Sequence, residues 1–187
     1  MAVPDIRALC YTELDEIRQA VSGVRTEEID RLRDMLLNAN AIAVHGVGRE
    51  GLVLRSFVMR LFHLGLPASF VGDITTGPIG PGGMLFASAG PGKLATVEAV
   101  INVARGAGAH TALITGRPDA PLAARVDLVV ELPAQTMAGS RGSSSSQPMG
   151  SVYEQAMWIL LDAVVSQLMA ETGRQASEMA ARHANLE

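Results

Sequence analysis

The chain has 187 residues, of which 48% are hydrophobic and 18% are charged, a balance typical of one globular domain with a sizeable core. A net charge of −4, scattered Lys and Arg residues and 4% aromatic content argue against a nucleic-acid partner. One Cys excludes an intramolecular disulfide and a cysteine-based zinc site, and no apolar run is long enough to predict a membrane span.

Two helices are predicted at the start of the chain. Residues 5–21 carry apolar side chains at helical spacing, and Gly23 breaks this pattern. Thr26 is expected to cap a second helix, because Glu27 and Glu28 would then stand in its first turn, where the helix dipole favours acids.

Short apolar segments alternate with helical segments beyond residue 40. Each apolar segment has the composition of a parallel strand that is buried on both faces. The predicted strands span residues 41–44, 67–71, 84–87, 110–114 and 127–132. The predicted helices span residues 52–64, 94–106, 120–125, 149–171 and 175–184.

This alternation predicts an α/β fold, a three-layer sandwich in which helices flank a five-stranded parallel sheet. No internal repeat, linker or domain boundary is visible, so residues 1–187 are expected to form a single domain. Ligands of such sheets bind beyond the carboxyl ends of the strands. The loops expected at that edge span residues 45–51, 72–77, 88–94, 115–119 and 133–147.

The first of these loops contains a G-x-G-x-x-G motif at residues 46–51, between a strand and a helix. Gly46 and Gly48 would let the backbone approach a ligand, and Arg49 could bind phosphate or sugar oxygens with both arms of its guanidinium. Asp73 stands about where a dinucleotide-binding fold needs an acid, so the spacing alone leaves that fold open. The simpler interpretation is a tight turn with a surface Arg.

Two further loops carry polar groups. Ser88 begins a second Gly-rich turn in which the Gly90 amide and Lys93 could bind an anion, although an ordinary connection is an equal alternative. Residues 143–146 are four consecutive serines beside Arg141; they form either a flexible loop or a set of hydroxyls that face a sugar.

Glu154 and His183 are the candidate proton-transfer groups. Glu154 lies in the first turns of a long helix, where an acid either pairs with the helix dipole or acts as a base in a partly dry pocket. His183 lies near the end of the chain, and it could move protons if that end docks into a site. The other three His are expected to be structural, and their spacing predicts no metal site.

Several blocks of this sequence, in the right order, resemble the sugar isomerase (SIS) domain superfamily and, within it, the 6-phospho-3-hexuloisomerase family. The similarity extends from about residue 10 to residue 187. The blocks are G-x-G-R-x-G at 46–51, M-R-L-x-H-L-G at 59–65, V-G-D-x-T-T at 71–76, Q-P-M-G-S-x-x-E-Q at 147–155, Asp162, and R-H-A-N-L-E at 182–187.

The resemblance implies a single SIS domain with N-terminal helices and a C-terminal tail helix, assembled into a homo-oligomer, a tetramer or a dimer. It implies conversion of 3-hexulose 6-phosphate to fructose 6-phosphate in the ribulose monophosphate route of formaldehyde assimilation, without a metal or an organic cofactor. The N-terminus has no apolar core of the signal-peptide type, so a cytoplasmic location is expected.

Residue roles follow from the same resemblance. Glu154 corresponds to the base that moves a proton between two carbons through an enediol. His183 corresponds to a tail residue that shuttles a hydroxyl proton or opens the sugar ring, and docking on a neighbouring subunit would hold it in place. The residues expected to bind substrate are Gly46, Gly48, Arg49, Glu50, Ser88, Gly90, Lys93, Ser145 and Gln147.

The sequence departs from the family pattern at the expected phosphate site. Glu50 replaces the usual Ser of the first loop, and residues 89–94, AGPGKL, replace the usual Ser-Gly-Ser-Gly-Glu-Thr. A carboxylate next to a phosphate is repulsive by about 1 kcal/mol in water and by more in a dry site. Three interpretations remain: the family reaction with a rebuilt phosphate site, isomerisation of a related sugar or sugar acid, and a non-catalytic sugar-binding protein.

Overall fold

A five-stranded parallel sheet forms the centre of the structure, a computed structural model that describes residues 3–139 and 145–186. The strands are β1 (Ile42–His45), β2 (Ala68–Phe70), β3 (Met84–Ser88), β4 (His110–Thr115) and β5 (Leu128–Glu131). Their order in the sheet is β2-β1-β3-β4-β5, and each neighbouring pair is parallel. The predicted fold class is therefore confirmed, with strand ends within two residues of the expected positions.

Within the described residues, six α-helices surround the sheet. They are α1 (Ile6–Ser22), α2 (Thr26–Asn38), α3 (Gly48–His63), α4 (Ala95–Gly106), α5 (Ser151–Thr172) and α6 (Ala176–Ala181). Short 3-10 turns occur at Ala123–Arg125 and Pro148–Gly150. No helix in the described part of the chain is long and apolar enough to cross a bilayer.

Several predicted helix ends were wrong. The last helix ends at Ala181 and not at residue 184, and the short helix expected over 120–125 is a 3-10 turn at Ala123–Arg125. Thr26 is the first helical residue of α2 and not its cap; Arg25 holds the cap position, and its side chain makes no capping hydrogen bond. The third helix begins at Gly48, four residues before the expected start at residue 52, because the glycine motif itself forms its first turn. The motif therefore places its side chains on a helix and not on a free loop.

The helices cover the two faces of the sheet unequally. On one face, α1, α2, α3 and α5 enclose the larger core, in which the Phe57 and Phe86 rings meet edge to face with centroids 5.8 Å apart. On the other face, α4 packs against small side chains such as Ala43 and Ala87. Each fully buried large apolar side chain contributes about 1.5–3 kcal/mol to stability.

The chain adds β2 on one side of β1 and adds β3, β4 and β5 on the other, so the direction of strand addition reverses between β1 and β3. The chain leaves β1, forms α3 on one face and returns as β2 at the sheet edge; it then crosses to β3 and forms α4 on the other face. The loops that follow β1 and β3 therefore lie side by side but diverge. Such a divergence opens a crevice at the carboxyl ends of the strands, where ligands of α/β sheets bind.

Candidate active site

The loops that follow β1 and β3 are joined across the crevice by one carboxylate. Oε2 of Glu50, in the first turn of α3, accepts hydrogen bonds from Ser88 Oγ at 2.5 Å and from the Gly90 amide at 3.0 Å. The structure thus brings together three of the predicted substrate-binding residues. Burial raises the pKa of Glu50, and the two hydrogen bonds partly oppose this rise.

Two glycines of the first loop hold the start of α3 close to the end of β1. A Cβ atom on Gly51 would lie 2.6 Å from the Gly46 carbonyl oxygen, and one on Gly46 would lie 2.8 Å from Leu54 Cδ1. A side chain at Gly51 would therefore clash with backbone, and one at Gly46 would require the Leu54 side chain to move. This close packing directs Arg49 and Glu50 into the crevice.

Asp73 does not serve the role that a dinucleotide-binding fold would give it. Its Oδ1 lies 2.8 Å from Nη1 of Arg55, with which it forms a partly exposed ion pair. The Arg55 guanidinium also stacks over the Phe70 ring, 3.9 Å from its centroid. The acid is therefore engaged in a local surface cluster.

Glu154 faces the crevice from the first turn of α5. Its Oε2 lies 2.8 Å from Nε of Arg49; 11% of the Glu154 side chain is exposed, against 56% of Arg49. Arg49 Nη1 also donates a hydrogen bond to Ser151 Oγ at 2.9 Å. Burial raises the pKa of Glu154, the positive charge of Arg49 opposes the rise, and the negative charge of Glu50 adds to it. A carboxylate in this setting suits general-base catalysis.

A groove opens beside Glu154. Its volume of about 490 Å³ is large enough for a sugar phosphate. The side chains that line it are Ile17, Arg49, Leu52, Val53, Glu154, Gln155, Trp158 and Ile159. Leu52, Trp158 and Ile159 are exposed apolar residues, so one wall of the groove is unusually apolar. A second cavity, of about 440 Å³, lies at the amino ends of the strands and contains none of the predicted site residues.

Tyr153 and Ser151 belong to the site but were missed in the sequence. The Tyr153 hydroxyl lies 3.2 Å from Ser88 Oγ, and the side chain is completely buried. Burial, with the negative charge of Glu50, raises the pKa of Tyr153, which keeps its hydroxyl neutral. The Q-P-M-G-S-x-x-E-Q block contains both residues, but only its Glu154 was predicted to have a catalytic role.

Ser145 and Gln147 converge on a carboxylate of α1 that the sequence did not reveal. Oε2 of Glu16 accepts hydrogen bonds from Ser145 Oγ at 2.5 Å and from Gln147 Nε2 at 3.1 Å, and Oε1 accepts from Ser146 Oγ at 3.0 Å. In this structure these side chains form hydrogen bonds with Glu16 of the same chain, so their contact with substrate stays a prediction. Arg141, Ser143 and Ser144 lie outside the described residues.

Lys93 is exposed in the loop between β3 and α4. It lines a small cavity that Glu98 and Arg125 also line, and these two residues form an ion pair with each other. Within residues 3–139 and 145–186, no group of three or more His, Cys, Asp or Glu side chains could hold a metal ion.

His183 lies far from Glu154 within one chain. Its exposed ring is 5.2 Å from the ring of His63, the last residue of α3, and Arg182 Nη1 donates a hydrogen bond to the His63 carbonyl. Glu154, on α5, contacts Arg49 in the first turn of α3, which is the opposite end of that helix from His63. The 16 residues of α3 span about 24 Å. One subunit therefore does not bring the predicted catalytic pair together. Glu187 lies outside the described residues.

Known proteins resemble this chain along nearly its whole length. A 3-hexulose-6-phosphate isomerase of Bacillus subtilis is 34% identical over 93% of this chain and 95% of its own length. The enzyme of the same name from Mycobacterium gastri is 37% identical over 92% of this chain and 87% of its own length. The chain belongs to the 3-hexulose-6-phosphate isomerase family. No protein-family model matches the sequence.

A solved structure supports the same assignment. A protein of Methanococcus jannaschii, for which a molecular function of 3-hexulose-6-phosphate isomerase was inferred, matches with a TM-score of 0.83 and 29% identity. The match covers 94% of this chain and 99% of that protein. The resemblance that the sequence blocks indicated is therefore confirmed, and membership of the 3-hexulose-6-phosphate isomerase family makes the protein an isomerase of the SIS fold.

Proposed function

We propose that this protein interconverts 3-hexulose 6-phosphate and fructose 6-phosphate, with Glu154 as the base. The observation that carries the proposal is the position of Glu154, which is largely buried at the crevice, paired with Arg49 and raised in pKa. The names of the two relatives indicate the substrate class. The same proposal places the enzyme in the ribulose monophosphate route and in the cytoplasm, because charged sugar phosphates do not cross membranes freely.

The reaction moves a carbonyl group from C3 to C2. The base removes the proton on C2, and the electrons of that C–H bond form a C2–C3 double bond as the C3 carbonyl oxygen takes up a proton. The resulting enediol loses the hydroxyl proton on O2 and is protonated at C3, which leaves the carbonyl at C2. A single carboxylate that reaches both carbons can perform both carbon steps, and Glu154 has this role in the proposal.

The two oxygen protons need a second group, and His183 is the proposed one. Because His183 lies at the far end of α3 in its own chain, it would reach Glu154 only from a neighbouring subunit. Exposed apolar side chains on α3 and α5 offer a face for such a neighbour: Leu52, Met59, Phe62, Trp158 and Ile159. We therefore propose a homo-oligomer, a tetramer or a dimer, with shared active sites.

The activity is tested by following fructose 6-phosphate formation from 3-hexulose 6-phosphate in the wild type and in Glu154→Gln. We expect kcat to fall by at least about 100-fold in the variant, as for loss of a general base. Glu171→Gln is the matched control, because it changes the same side chain near the exposed far end of α5. Turnover that survives in Glu154→Gln would reject Glu154 as the base, and no turnover in folded wild type would reject the substrate.

The shared site is tested by mixing two inactive variants. Glu154→Gln and His183→Asn subunits are unfolded, combined in equal amounts and refolded, so that they pair at random. If each site takes its Glu from one subunit and its His from another, about a quarter of wild-type activity returns. His110→Asn, in an exposed position at the amino end of β4, is the control for the His substitution. Activity that stays absent in verified mixed oligomers would show that the sites are not shared.

A further inference from the structure

The Glu50 carboxylate lies in a position that is built to hold an anion. The Ser88 hydroxyl and the Gly90 amide come from the carboxyl end of β3, and both donate to the same oxygen of Glu50. Convergent O–H and N–H donors at the crevice of a parallel sheet form a typical cradle for a phosphate oxygen. In this chain the cradle holds a carboxylate of the protein itself.

The surroundings of this cradle leave little room for a second anion. A Cβ atom on Gly90 would lie 2.8 Å from Tyr153 Cε1 and 2.9 Å from Glu50 Oε1. Ser88 is fully buried, and the Tyr153 hydroxyl lies 3.2 Å from Ser88 Oγ. A phosphate oxygen can reach the two donors only after the carboxylate has released them.

We propose that Glu50 is an internal ligand of this cradle, and that a sugar phosphate binds by exchange, with the phosphate taking the Ser88 and Gly90 donors while Glu50 takes up one proton. The ionised carboxylate can only accept hydrogen bonds, whereas the protonated group has an O–H that can donate to a phosphate oxygen. The neutral carboxyl thereby changes from a competitor of the phosphate into one of its ligands. The inference rests on the proposed function, because its ligand is a sugar phosphate.

The charges around Glu50 favour this proton uptake. Tyr153 and Glu154 face it from α5, and Arg49, its neighbour on α3, is engaged by Glu154. Lys93, on the loop after β3, is exposed to solvent. Burial already raises the pKa of Glu50, and a bound phosphate would replace its two hydrogen-bond donors with negative charge, which raises that pKa further. Binding of the phosphate and binding of the proton therefore support each other.

The experiment measures how many protons enter the protein when fructose 6-phosphate binds. Titration calorimetry at pH 8, in two buffers with different ionisation enthalpies, gives this number for the wild type and for Glu50→Gln. Protons taken up by the phosphate of the ligand are the same in both proteins and cancel in the difference. We expect the wild type to take up about one proton more than the variant.

The affinity provides a second readout. Glu50→Gln and Glu50→Ser remove the competing negative charge, so both are expected to bind fructose 6-phosphate at least about tenfold more tightly than the wild type at pH 8. As the pH falls, the wild type should gain affinity relative to the variants. Chemical denaturation of each variant shows whether it is folded, and the proton number of the wild type tests the proposal even if one variant does not fold.

The outcomes separate this inference from the proposed function. Wild-type binding without proton uptake beyond that of the ligand, or equal uptake in wild type and Glu50→Gln, would overturn the role of Glu50 and leave the phosphosugar function standing. Weaker binding to both variants would overturn it as well, because Glu50 would then bind a hydroxyl of the sugar directly. If fructose 6-phosphate binds to none of the proteins, the phosphosugar function fails, and the inference fails with it.

Discussion

Arg49 Nε lies 2.8 Å from Glu154 Oε2, so an exposed cation is paired with a nearly buried carboxylate at the crevice. The pair connects α3, which leaves the sheet after β1, to α5, which follows the last strand. Arg49 is thus placed to influence the ionisation of Glu154. Its hydrogen bond to Ser151 also holds the guanidinium in position beside Glu154.

Removal of the Arg49 charge should change the pH dependence of the reaction. Burial raises the pKa of Glu154 and Arg49 opposes this rise, so Arg49→Met should raise that pKa further. A base must be ionised to act; we therefore expect the acid limb of kcat/KM to move to higher pH. Arg49→Lys keeps the charge and should move the limb less. An unchanged acid limb in Arg49→Met would mean that the pair does not control the base.

Loss of the Ser88 hydroxyl should destabilise the fold in a pH-dependent way. Ser88→Ala deprives a buried carboxylate of a donor, which costs about 1–3 kcal/mol when Glu50 is ionised. Because the pKa of Glu50 is raised in the folded state, protonation at lower pH relieves this cost. Urea unfolding should therefore show a larger loss at pH 8 than at pH 5. Ser166→Ala, at an exposed position of α5, is the control and should show no such difference.

Glu16 should stabilise the protein at neutral pH and lose this effect in acid. Partial burial would raise its pKa, but hydrogen bonds from Ser145, Ser146 and Gln147 outweigh burial and lower it. A lowered folded-state pKa contributes stability above the unfolded-state value, and this contribution disappears as the pH falls through the folded-state value. Glu16→Gln should cost about 1–3 kcal/mol in urea unfolding at pH 7 and less in acid.

The control for Glu16 is Glu27→Gln, at an exposed position in the first turn of α2. This substitution should change the free energy of unfolding by less than about 1 kcal/mol. Equal losses from the two substitutions would mean that the hydrogen bonds of Glu16 add nothing to stability.

Gly150 should be required for the position of α5. It precedes the helix with a φ of 80°, and a Cβ atom there would lie 2.7 Å from the Met137 amide nitrogen. Gly150→Ala combines backbone strain of about 1–3 kcal/mol with a clash against backbone, so α5 should shift and move Glu154. We expect a lower Tm and a lower kcat. Gly106→Ala, at the end of α4 with open space around it, should leave both unchanged.

The sheet could be predicted from the sequence because its signals are local. Each strand is a short run rich in apolar residues, and those of β1 and β3 are followed by a helical pattern, so each signal lies within consecutive residues. The errors at the starts of α2 and α3 occurred where local signals conflict. The glycines before residue 52 indicated a loop, but the tight contact between Gly46 and Gly51 lets α3 begin at Gly48.

The site was harder to predict, because its contacts join distant parts of the chain. Ser145 and Gln147 were expected to face a sugar, yet their partner Glu16 is 129 and 131 residues away and has no motif of its own. The sequence showed that Glu50 replaces a family Ser, but only the structure shows that its carboxylate takes the Ser88 and Gly90 donors. The separation of His183 from Glu154 depends on which end of α3 each residue lies against.

The close contact between Gly46 and Gly51 also bears on how this enzyme family can evolve. A Cβ atom on Gly51 would clash with the Gly46 backbone and one on Gly46 would displace the Leu54 side chain, whereas Arg49 and Glu50 extend into the crevice. A side chain at Gly51 therefore disturbs the packing of α3 on the end of β1, whereas a substitution at 49 or 50 acts through the contacts that its side chain makes in the crevice. The side chains at 49 and 50 can thus vary while the glycines hold the backbone in place, so the site can change on an unchanged scaffold.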